Sequence, residues 1–548
     1  MVSLYTYTAD HYIKTDMENK GSLHAILLNI SSRMNSNLIV GSATVLLMAI
    51  IGFWFKKYRS DRHRLPPGPR ALPVIGHFHL LIDKERPFHR ILDSLSKVYG
   101  PIMHLKFGSR PVLIISSSEL AKECFTVNDL AFASRPRLSQ GKHLGYDFMF
   151  MGWAPYGSYW RNVRKICALE LLSSKQIQTY RPKRMREISK TLNYLFQQAQ
   201  MKTTVNMRTV LSQMTLNVLM SMIMGDHYFG EEAGMSFLEV AHLIEESFVL
   251  HGAVNIGDYI PWLKWLDLQG YERAMKKVQG KLNPYMQRIV EKHRENPPTE
   301  KEDMDFIDVL ILQAEENGEA IPDKDTFIKS IAVNMFSAGS DTSSLALEWV
   351  LSLLILHPNI MKMVQEELDS KVGKSRLVEE LDIPQLKYLQ AIVKEIMRLF
   401  PPGPLLVPHE SIKSCTLGGF HIPTGTILMV NAWAIQRDPR IWNKPLEFIP
   451  ERFLENNIEI ESIQTLGNEF EMFPFGVGRR GCPGASLAMC LVHITLARLL
   501  QSFDWFLPDG KALDINEGVG LTMPKAVPLE VVIKARLPPH LYPNSIGY

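Results

Sequence analysis

The sequence predicts one large, mainly α domain with a small β portion, preceded by a single N-terminal transmembrane helix. Strand-like runs are few: two lie between 102 and 117, and 416–435 reads as two strands around a turn. An uncharged run of 18 residues, 38–55, is long enough to cross a bilayer. Apolar residues recur with the helical period over six segments, at 157–175, 206–224, 235–250, 269–295, 326–357 and 385–399.

A basic cluster follows the uncharged run, and this order indicates a retained anchor. The cluster places the chain after it on the cytoplasmic side of the membrane. Its members are Lys56, Lys57, Arg59, Arg62 and Arg64. A buried core helix and a cleaved signal peptide are the alternatives, although the cluster lies on the wrong side for a signal peptide. We therefore expect a lumenal N-terminal extension at 1–37 and a membrane anchor at 38–55.

A stiff connector is expected after the anchor. The segment LPPGPRALPVIGH, 65–77, contains four prolines, which fix the backbone angle φ and exclude a helix. Beyond it the sequence has no internal repeat and no second linker. We therefore predict a basic and proline-rich hinge at 56–77, one folded domain at 78–540 and a short tail at 541–548.

Charge and cysteine content argue against several kinds of function. The 548 residues carry a net charge of +3, so no overall basic character points to nucleic acid. The five cysteines lack CxxC spacing, which argues against a disulfide framework and against a zinc site. These features are typical of a protein from a reducing compartment that does not bind nucleic acid.

Cys482 lies in the glycine- and arginine-rich segment FGVGRRGCPG, directly before a long apolar run. Proline is favoured at the first position of a helix, so Pro483 predicts a helix that begins directly after the cysteine. The unpaired N–H groups at a helix N-terminus lower the pKa of a thiol, and Arg479 and Arg480 add positive charge. The alternative is a buried, inert cysteine.

The pattern around this cysteine resembles the haem-binding signature of the cytochrome P450 family. The matching positions are Phe475, Gly478, Arg480, Cys482 and Gly484. The resemblance implies that the Cys482 thiolate is the axial ligand of the iron in haem b. It also implies that Arg480 pairs with a haem propionate and that Phe475 packs near the sulfur.

A second motif, MFSAGSDTSSLALEWV at 335–350, lies in a helical pattern. Asp341 and Thr342 place an acid beside a hydroxyl on an otherwise apolar helix, as proton delivery to a buried site requires. A polar patch on a solvated helix face is the alternative. The motif resembles the oxygen-activation motif of the same family, which implies that Thr342 and Asp341 are the catalytic residues of proton delivery.

Glu395 and Arg398 are spaced i,i+3 and therefore share one helix face. By itself this spacing is typical of an ordinary surface ion pair. The resemblance instead implies a structural network in which Arg452 is the third member.

Three further residues are candidates for binding the cofactor. Trp160 and Arg164 lie one helical turn apart, which alone would fit cation–π packing on a surface helix. The resemblance implies that both contact the haem propionates, and that His409 is another propionate partner.

The resemblance extends from about residue 38 to 536 and is to plant-type members of the endoplasmic reticulum. It implies a single-pass membrane protein with a cytoplasmic haem-thiolate monooxygenase domain. Electrons would come from NADPH through a separate NADPH–cytochrome reductase, because the chain has no evident flavin-binding segment. O₂ would be the second substrate.

The stretches that the resemblance assigns to the substrate cavity are 145–153, 335–340, 404–409 and 518–525. They are rich in apolar residues, which favours a neutral, lipophilic small molecule. A terpenoid is the first expectation. An alkaloid, a furanocoumarin or another phenolic is the alternative.

Two other classes of function stay open. One is a haem-thiolate isomerase or dehydratase that works without a reductase, and the other is a non-catalytic haem sensor or redox scaffold. The intact Asp341 and Thr342 pair argues against the isomerase, because such chemistry needs no oxygen-activating relay.

Overall fold

The computed structural model describes residues 65–81, 86–225, 235–300, 304–316, 321, 323–455 and 470–542. The chain divides into two compact units, Met1–Leu65 and Pro66–Tyr548. The predicted extension, the anchor and the basic part of the hinge lie outside the described residues, as does most of the predicted tail. The helices and strands of the described residues all belong to the second unit.

Sixteen α-helices form about half of the described chain and far exceed the strands, so the prediction of a mainly α domain is confirmed. They are α1 (Phe88–Tyr99), α2 (Ser118–Phe125), α3 (Ser139–His143), α4 (Ser158–Glu170), α5 (Ser174–Thr179), α6 (Arg181–Met201), α7 (Met207–Met224), α8 (Phe237–His251), α9 (Tyr271–Glu295), α10 (Phe306–Glu316), α11 (Lys324–Leu356), α12 (Pro358–Lys371), α13 (Lys387–Leu399), α14 (Ala432–Ile435), α15 (Arg452–Glu455) and α16 (Ala485–Ser502).

Nine short strands supply the small β portion. They are β1 (Ile102–Phe107), β2 (Arg110–Ile115), β3 (Val205–Asn206), β4 (His409–Glu410), β5 (Cys415–Leu417), β6 (Phe420–Ile422), β7 (Ile427–Val430), β8 (Phe503–Phe506) and β9 (Glu530–Ala535). The main sheet has the order β1-β2-β7-β4, with β2 and β7 parallel and the other neighbours antiparallel. A second sheet has the order β3-β9-β8, and β5 pairs with β6 in a hairpin.

The prediction of two strands around a turn at 416–435 is wrong in part. The hairpin of β5 and β6 exists, and Gly418 and Gly419 form its turn with φ of 55° and 79°, which favours glycine. The next apolar run is a third strand, β7, which leaves the hairpin and joins the main sheet between β2 and β4. Asn431 then accepts a hydrogen bond from Ala434 N–H and so caps the short helix α14.

The long helix α11 runs through the core and packs against α7, α8, α9, α10, α13 and α16. Its closest approach to α7 requires glycine: a Cβ on Gly339 would lie 2.7 Å from Leu219 Cδ1. One helical turn before Leu219 on α7, the Thr215 hydroxyl donates a hydrogen bond to Ser340 O at 3.0 Å. These contacts fix the position of the α11 face that carries the predicted catalytic motif.

Among the described residues, α16 is apolar and long enough to cross a membrane, and 78% of it is buried inside the protein. It contacts α6, α11, α12 and α13, so we assign it to the core. This helix begins shortly after Cys482, so its burial places the cysteine loop in the interior of the domain.

Candidate active site

A cavity of about 320 Å³ lies inside the domain, between α4, the middle of α11, the loop 402–409 and the cysteine loop 474–484. Most of the predicted site residues line it together, although they come from distant parts of the chain. These residues are Trp160, Arg164, Thr342, His409, Phe475, Arg480 and Cys482. Three of the four predicted cavity stretches contribute to its lining; 518–525 does not, and Leu521 instead packs against Gly252 at the end of α8.

The cysteine loop bends around Cys482 so that its side chain is open to the cavity. Gly476 and Gly478 have φ of 64° and 71°, the left-handed region that favours glycine. The Cys482 N–H donates to Phe475 O at 2.8 Å, which closes the loop. A Cβ on Gly478 would lie 2.5 Å from Asp129 Oδ1, so a larger residue does not fit there.

The helix after Cys482 begins later than predicted. Gly484 has φ −92° and ψ 10°, outside the helical range, and the first helical hydrogen bond runs from Ala488 N–H to Gly484 O. Helix α16 therefore begins at Ala485, and the prediction that Pro483 is its first residue is wrong. Cys482 lies two residues before the cap.

The predicted lowering of the thiol pKa is also not found. Burial raises the pKa of Cys482, and this effect outweighs the hydrogen bond from Gly484 N–H and the charge of Arg164, which both lower it. A metal cation bound to the sulfur would reverse this balance, because a coordinating thiol is deprotonated by the ion itself. Cys482 thus offers a thiol that becomes a thiolate when it binds a metal ion.

Two predicted arginines converge on the rim of the cavity. Arg480 donates to the carbonyls of Ala133 at 2.6 Å and Ala154 at 2.7 Å, and burial lowers its pKa to about 8. Arg164 donates to Gly481 O at 2.8 Å, and burial lowers its pKa as well. The Trp160 ring lies between them, with its centroid 4.2 Å from Arg480 Cζ and 5.5 Å from Arg164 Cζ.

Arg135 is a third arginine of this group, and sequence analysis missed it. It is buried, lines the cavity and donates to Val407 O at 2.6 Å and to Pro408 O at 2.9 Å. Burial lowers its pKa to about 9. The only signal in the sequence is that Arg135 follows the apolar and small residues AFAS, 131–134.

His409 lies beside this group as a neutral side chain. Its ring Nδ1 donates to Phe132 O at 2.8 Å, which leaves Nε2 without a proton in the neutral form. Burial and the neighbouring Arg135 and Arg480 charges hold its pKa well below the ordinary value. The residue is thus placed with the arginines, as predicted.

The residues of the cavity fit haem b. Arg135 is buried and Arg164 and Arg480 are half-buried, yet they pair with no carboxylate among the described residues, although cations withdrawn from water normally have an anionic partner. Two propionates are the anions that this cationic rim would accept, and the apolar walls suit a porphyrin body. The sulfur of Cys482 supplies the axial ligand that a haem iron takes from a cysteine thiolate.

The face of α11 toward the cavity carries Thr342 but not Asp341. Residues 334, 335, 338, 339, 342 and 343 line the cavity, as expected for one helix face. The Thr342 hydroxyl donates to Ala338 O at 2.8 Å. Asp341 is half-buried beside the cavity wall, and its Oδ2 has no hydrogen-bond partner among the described residues. Burial raises its pKa to about 6, partly opposed by Thr522.

Glu395, Arg398 and Arg452 form a network outside the cavity. The Arg398 guanidinium donates from Nε and Nη2 to the two Glu395 oxygens, each at 2.8 Å, and Arg452 Nε lies 3.1 Å from Glu395 Oε1. Arg398 Nη1 also donates to Gln436 O and Pro445 O, both at 2.8 Å. Glu395 and Arg398 are fully buried, so the alternative of a surface ion pair is wrong.

Comparisons with known proteins agree with this site. The family model for cytochrome P450 matches residues 66–529. Xanthotoxin 5-hydroxylase of Arabidopsis thaliana is 41% identical, covering 93% of this chain and 100% of that protein. Isoflavone 3'-hydroxylase of Medicago truncatula is 40% identical, covering 86% of this chain and 92% of that protein.

A solved zebra fish cytochrome P450 structure with progesterone shares the fold. Its TM-score is 0.69 at 26% identity, over 82% of this chain and 100% of that chain. The fold that the sequence predicted is therefore confirmed. Together, the family model and the plant relatives show that this chain belongs to the cytochrome P450 family, as a plant-type monooxygenase whose cofactor is haem b held by a cysteine thiolate.

Proposed function

We propose that this protein hydroxylates a neutral, lipophilic phenolic compound, with NADPH as the electron source through a separate NADPH–cytochrome reductase. The observation that carries the proposal is one cavity in which the Cys482 sulfur, a cationic rim and the Thr342 hydroxyl meet apolar walls. When bound, haem b would supply the activation of O₂, with one oxygen atom inserted into a C–H bond and the other reduced to water by the two electrons from NADPH. The protein residues bind the cofactor, orient the substrate and deliver protons.

Four side chains are proposed to hold the cofactor at its edge, and one at its iron. Cys482 would hold the iron through its sulfur, and Arg135, Arg164, Arg480 and His409 would face the propionates. Because the three arginines are already fixed by bonds to backbone carbonyls, they need little reordering to receive an anion. The Trp160 ring packs against both Arg164 and Arg480 and so helps to position them.

Thr342 and Asp341 are proposed to deliver protons to the cavity. Thr342 holds a hydroxyl proton at the cavity wall, where its oxygen can exchange that proton with a bound water or oxygen species. Asp341 lies next along the helix, and its pKa of about 6 lets it both release and recover a proton near neutral pH. The Asp341 carboxyl thus lies outside the cavity wall, and the Thr342 hydroxyl lies on the cavity side of it.

The substrate class is proposed from the relatives and the cavity together. The two plant relatives are named for xanthotoxin and for an isoflavone, which are both flat, oxygen-containing aromatic ring systems. The described cavity walls are apolar apart from the cofactor-facing groups and the polar residues on α11, which suits such a molecule. The relatives therefore favour a furanocoumarin or another phenolic over the terpenoid first expected; an alkaloid stays a weaker alternative.

A location at the endoplasmic reticulum membrane is proposed with the domain on the cytoplasmic side. Besides the uncharged run 38–55, the domain exposes an apolar patch, and tryptophan is typical of membrane interfaces. The patch has two parts, one at 72–74 and one at 262–268. The chain beside each part is bonded to the β1–β2 turn, where Gly108 N–H donates to Ile75 O and Ser109 N–H donates to Tyr259 O. The patch consists of Leu72 (47% exposed), Val74 (59%), Trp262 (60%), Trp265 (80%) and Leu268 (64%).

The experiment that tests this function measures product, NADPH use and peroxide for the full-length protein with reductase. We expect Thr342→Ala to keep the reduced, CO-bound spectrum of a haem-thiolate protein but to turn most NADPH use into peroxide. Thr342→Ser, which keeps the hydroxyl, should restore coupling. Normal coupling in the alanine variant would contradict the proton-delivery role, and turnover without reductase or NADPH would point to the isomerase instead.

A further inference from the structure

Asn334 lies on the cavity face of α11, two helical turns before Thr342. Eight residues along an α-helix correspond to about 12 Å, so Asn334 stands at a distance from Thr342 that a two- or three-ring molecule can span. The side chain lines the cavity while the residue is only 7% exposed. An amide therefore borders the space in which the substrate is proposed to lie.

The hydrogen bonds of Asn334 leave its donors unused. Its Oδ1 accepts the Gly152 N–H at 3.3 Å, which orients the amide and ties α11 to the loop that carries Met151 and Gly152. With the oxygen so placed, Nδ2 donates to no acceptor among the described residues. An amide donor that faces the cavity without a protein acceptor is available to a ligand acceptor at this place.

The polar groups assigned to the cofactor and to proton delivery are directed elsewhere. Arg135, Arg164 and Arg480 donate to backbone carbonyls on the rim proposed for the propionates. The Thr342 hydroxyl donates to Ala338 O. The Asn334 amide is thus a donor that neither the cofactor nor the proton relay uses.

We infer that the Asn334 side chain donates a hydrogen bond to an oxygen acceptor of the substrate, and so selects carbonyl-bearing lipophiles over hydrocarbons. This inference rests on the proposed function and narrows its substrate class. A neutral donor in an apolar cavity suits a neutral acceptor such as a lactone or ketone oxygen. A hydrocarbon would leave the amide unpaired, and rejection of this kind is how buried polar groups create specificity.

The test compares two probes on the haem-loaded, full-length protein. Xanthotoxin carries a lactone carbonyl, and its analogue with that carbonyl reduced to CH₂ has nearly the same shape. Dissociation constants come from the absorbance change of the haem on titration and from quenching of the probe's fluorescence. Wild type should bind xanthotoxin more tightly than the analogue, by about 5- to 10-fold, the range for one neutral hydrogen bond.

Two variants at this position separate donation from loop positioning. Asn334→Leu removes all polar atoms, whereas Asn334→Asp keeps an acceptor for the Gly152 N–H and loses the donors. Both should erase the preference for xanthotoxin and change binding of the analogue by less than about 2-fold. Ser337→Ala, a buried neighbour that does not line the cavity, is the matched control and should keep the preference.

Three results would overturn the inference. These are no preference in wild type, equal weakening of both probes in Asn334→Leu, or full xanthotoxin affinity in Asn334→Asp. NADPH-dependent turnover on the same preparation is read separately. Preference for xanthotoxin without any product would reject the proposed function and leave this inference standing.

Discussion

Two groups of arginines, one fully buried and one half-buried at the cavity, differ in how their charge is neutralised. Arg398 is surrounded by the Glu395 carboxylate and two carbonyls, so each side of its guanidinium has a partner. Arg164 and Arg480 bond only to carbonyls, and no carboxylate among the described residues neutralises them. The charge of Arg398 is neutralised within the polypeptide, whereas the charges of Arg164 and Arg480 are neutralised only when an anion binds from outside.

The difference teaches which charges serve the fold and which serve the cofactor. A buried ion pair whose hydrogen bonds are all made holds the surrounding fold together. Removing one partner leaves the other charge buried without a counter-charge. Buried cations without an anion reduce the stability of the protein that carries them, so their retention calls for a ligand. Substitutions in the two groups should therefore act on different quantities.

The largest effect is expected from Glu395→Ala, which removes the anion from the complete group. Arg398 would remain fully buried without its carboxylate, and Arg452 would lose its contact as well. Breaking a buried pair in this way costs about 3–5 kcal/mol of unfolding free energy. Urea unfolding of the purified protein in detergent, followed by tryptophan fluorescence, measures the change.

The control for this substitution is Glu447→Ala. Glu447 pairs with Lys444 at 3.2 Å, and both side chains are about 60% exposed. Such a pair contributes less than about 1 kcal/mol. Equal losses in the two variants would show that the Glu395 network has no special role in stability.

A smaller effect of a different kind is expected from Arg164→Leu. One charge-assisted hydrogen bond contributes about 1.5–3 kcal/mol, so haem should be held at least about 10-fold more weakly. The haem-free protein should lose less than about 1 kcal/mol, because the variant removes an unpaired buried charge together with one bond to Gly481 O. Haem transfer to an excess of apomyoglobin reports the first quantity, and urea unfolding reports the second.

Arg161→Leu is the matched control, since Arg161 lies on the same helix but is exposed. It should change neither haem retention nor stability. If Arg164→Leu instead destabilised the haem-free protein as strongly as Glu395→Ala, the distinction between the two arginine groups would fail.

The smallest effect concerns an anion that also lacks a full set of partners. Burial raises the pKa of Asp341 from 3.8 to about 6, so folding favours its protonated form. Its stabilising contribution is present below pH 4 and is lost as the pH rises through 6. Asp341→Asn should therefore become more stable than wild type by about 1–2 kcal/mol above pH 6, with the difference fading toward pH 4.

Asp438→Asn should show the opposite sign. Hydrogen bonds from Arg440 lower the pKa of Asp438, so its contribution to stability is present above the ordinary carboxylate pKa and is lost on acidification. Unfolding midpoints of both variants and wild type between pH 2.5 and 8 make the comparison, because the Asp438 contribution is lost only below its ordinary pKa of 3.8. A pH-independent difference for Asp341→Asn would mean that its carboxylate is fully satisfied in the folded protein.

Local patterns in the sequence predicted much of the site. Phe475 and Cys482 are near neighbours in the chain, and the i,i+3 spacing of Glu395 and Arg398 follows from helix geometry alone. Long apolar segments gave the main helices within a few residues. These features depend on short stretches of backbone, which sequence reasoning handles well.

The features that were missed depend on contacts between distant segments. Arg135 belongs to the cationic rim only because folding brings the loops at 151–154 and 407–408 beside it. The strand β7 joins β2 because the main sheet offers an edge, which the hairpin sequence does not reveal. The pKa of Cys482 follows burial, whereas the sequence shows only nearby arginines and glycines.

The cationic rim has a consequence for the amount of enzyme in a cell. A ligand that binds only the folded state stabilises it by mass action, and these three like charges make that dependence strong for haem. Copies that emerge from the ribosome during iron shortage would open more often and be degraded sooner. The steady-state abundance of this protein would thus follow the iron and porphyrin supply of the tissue even at constant transcription.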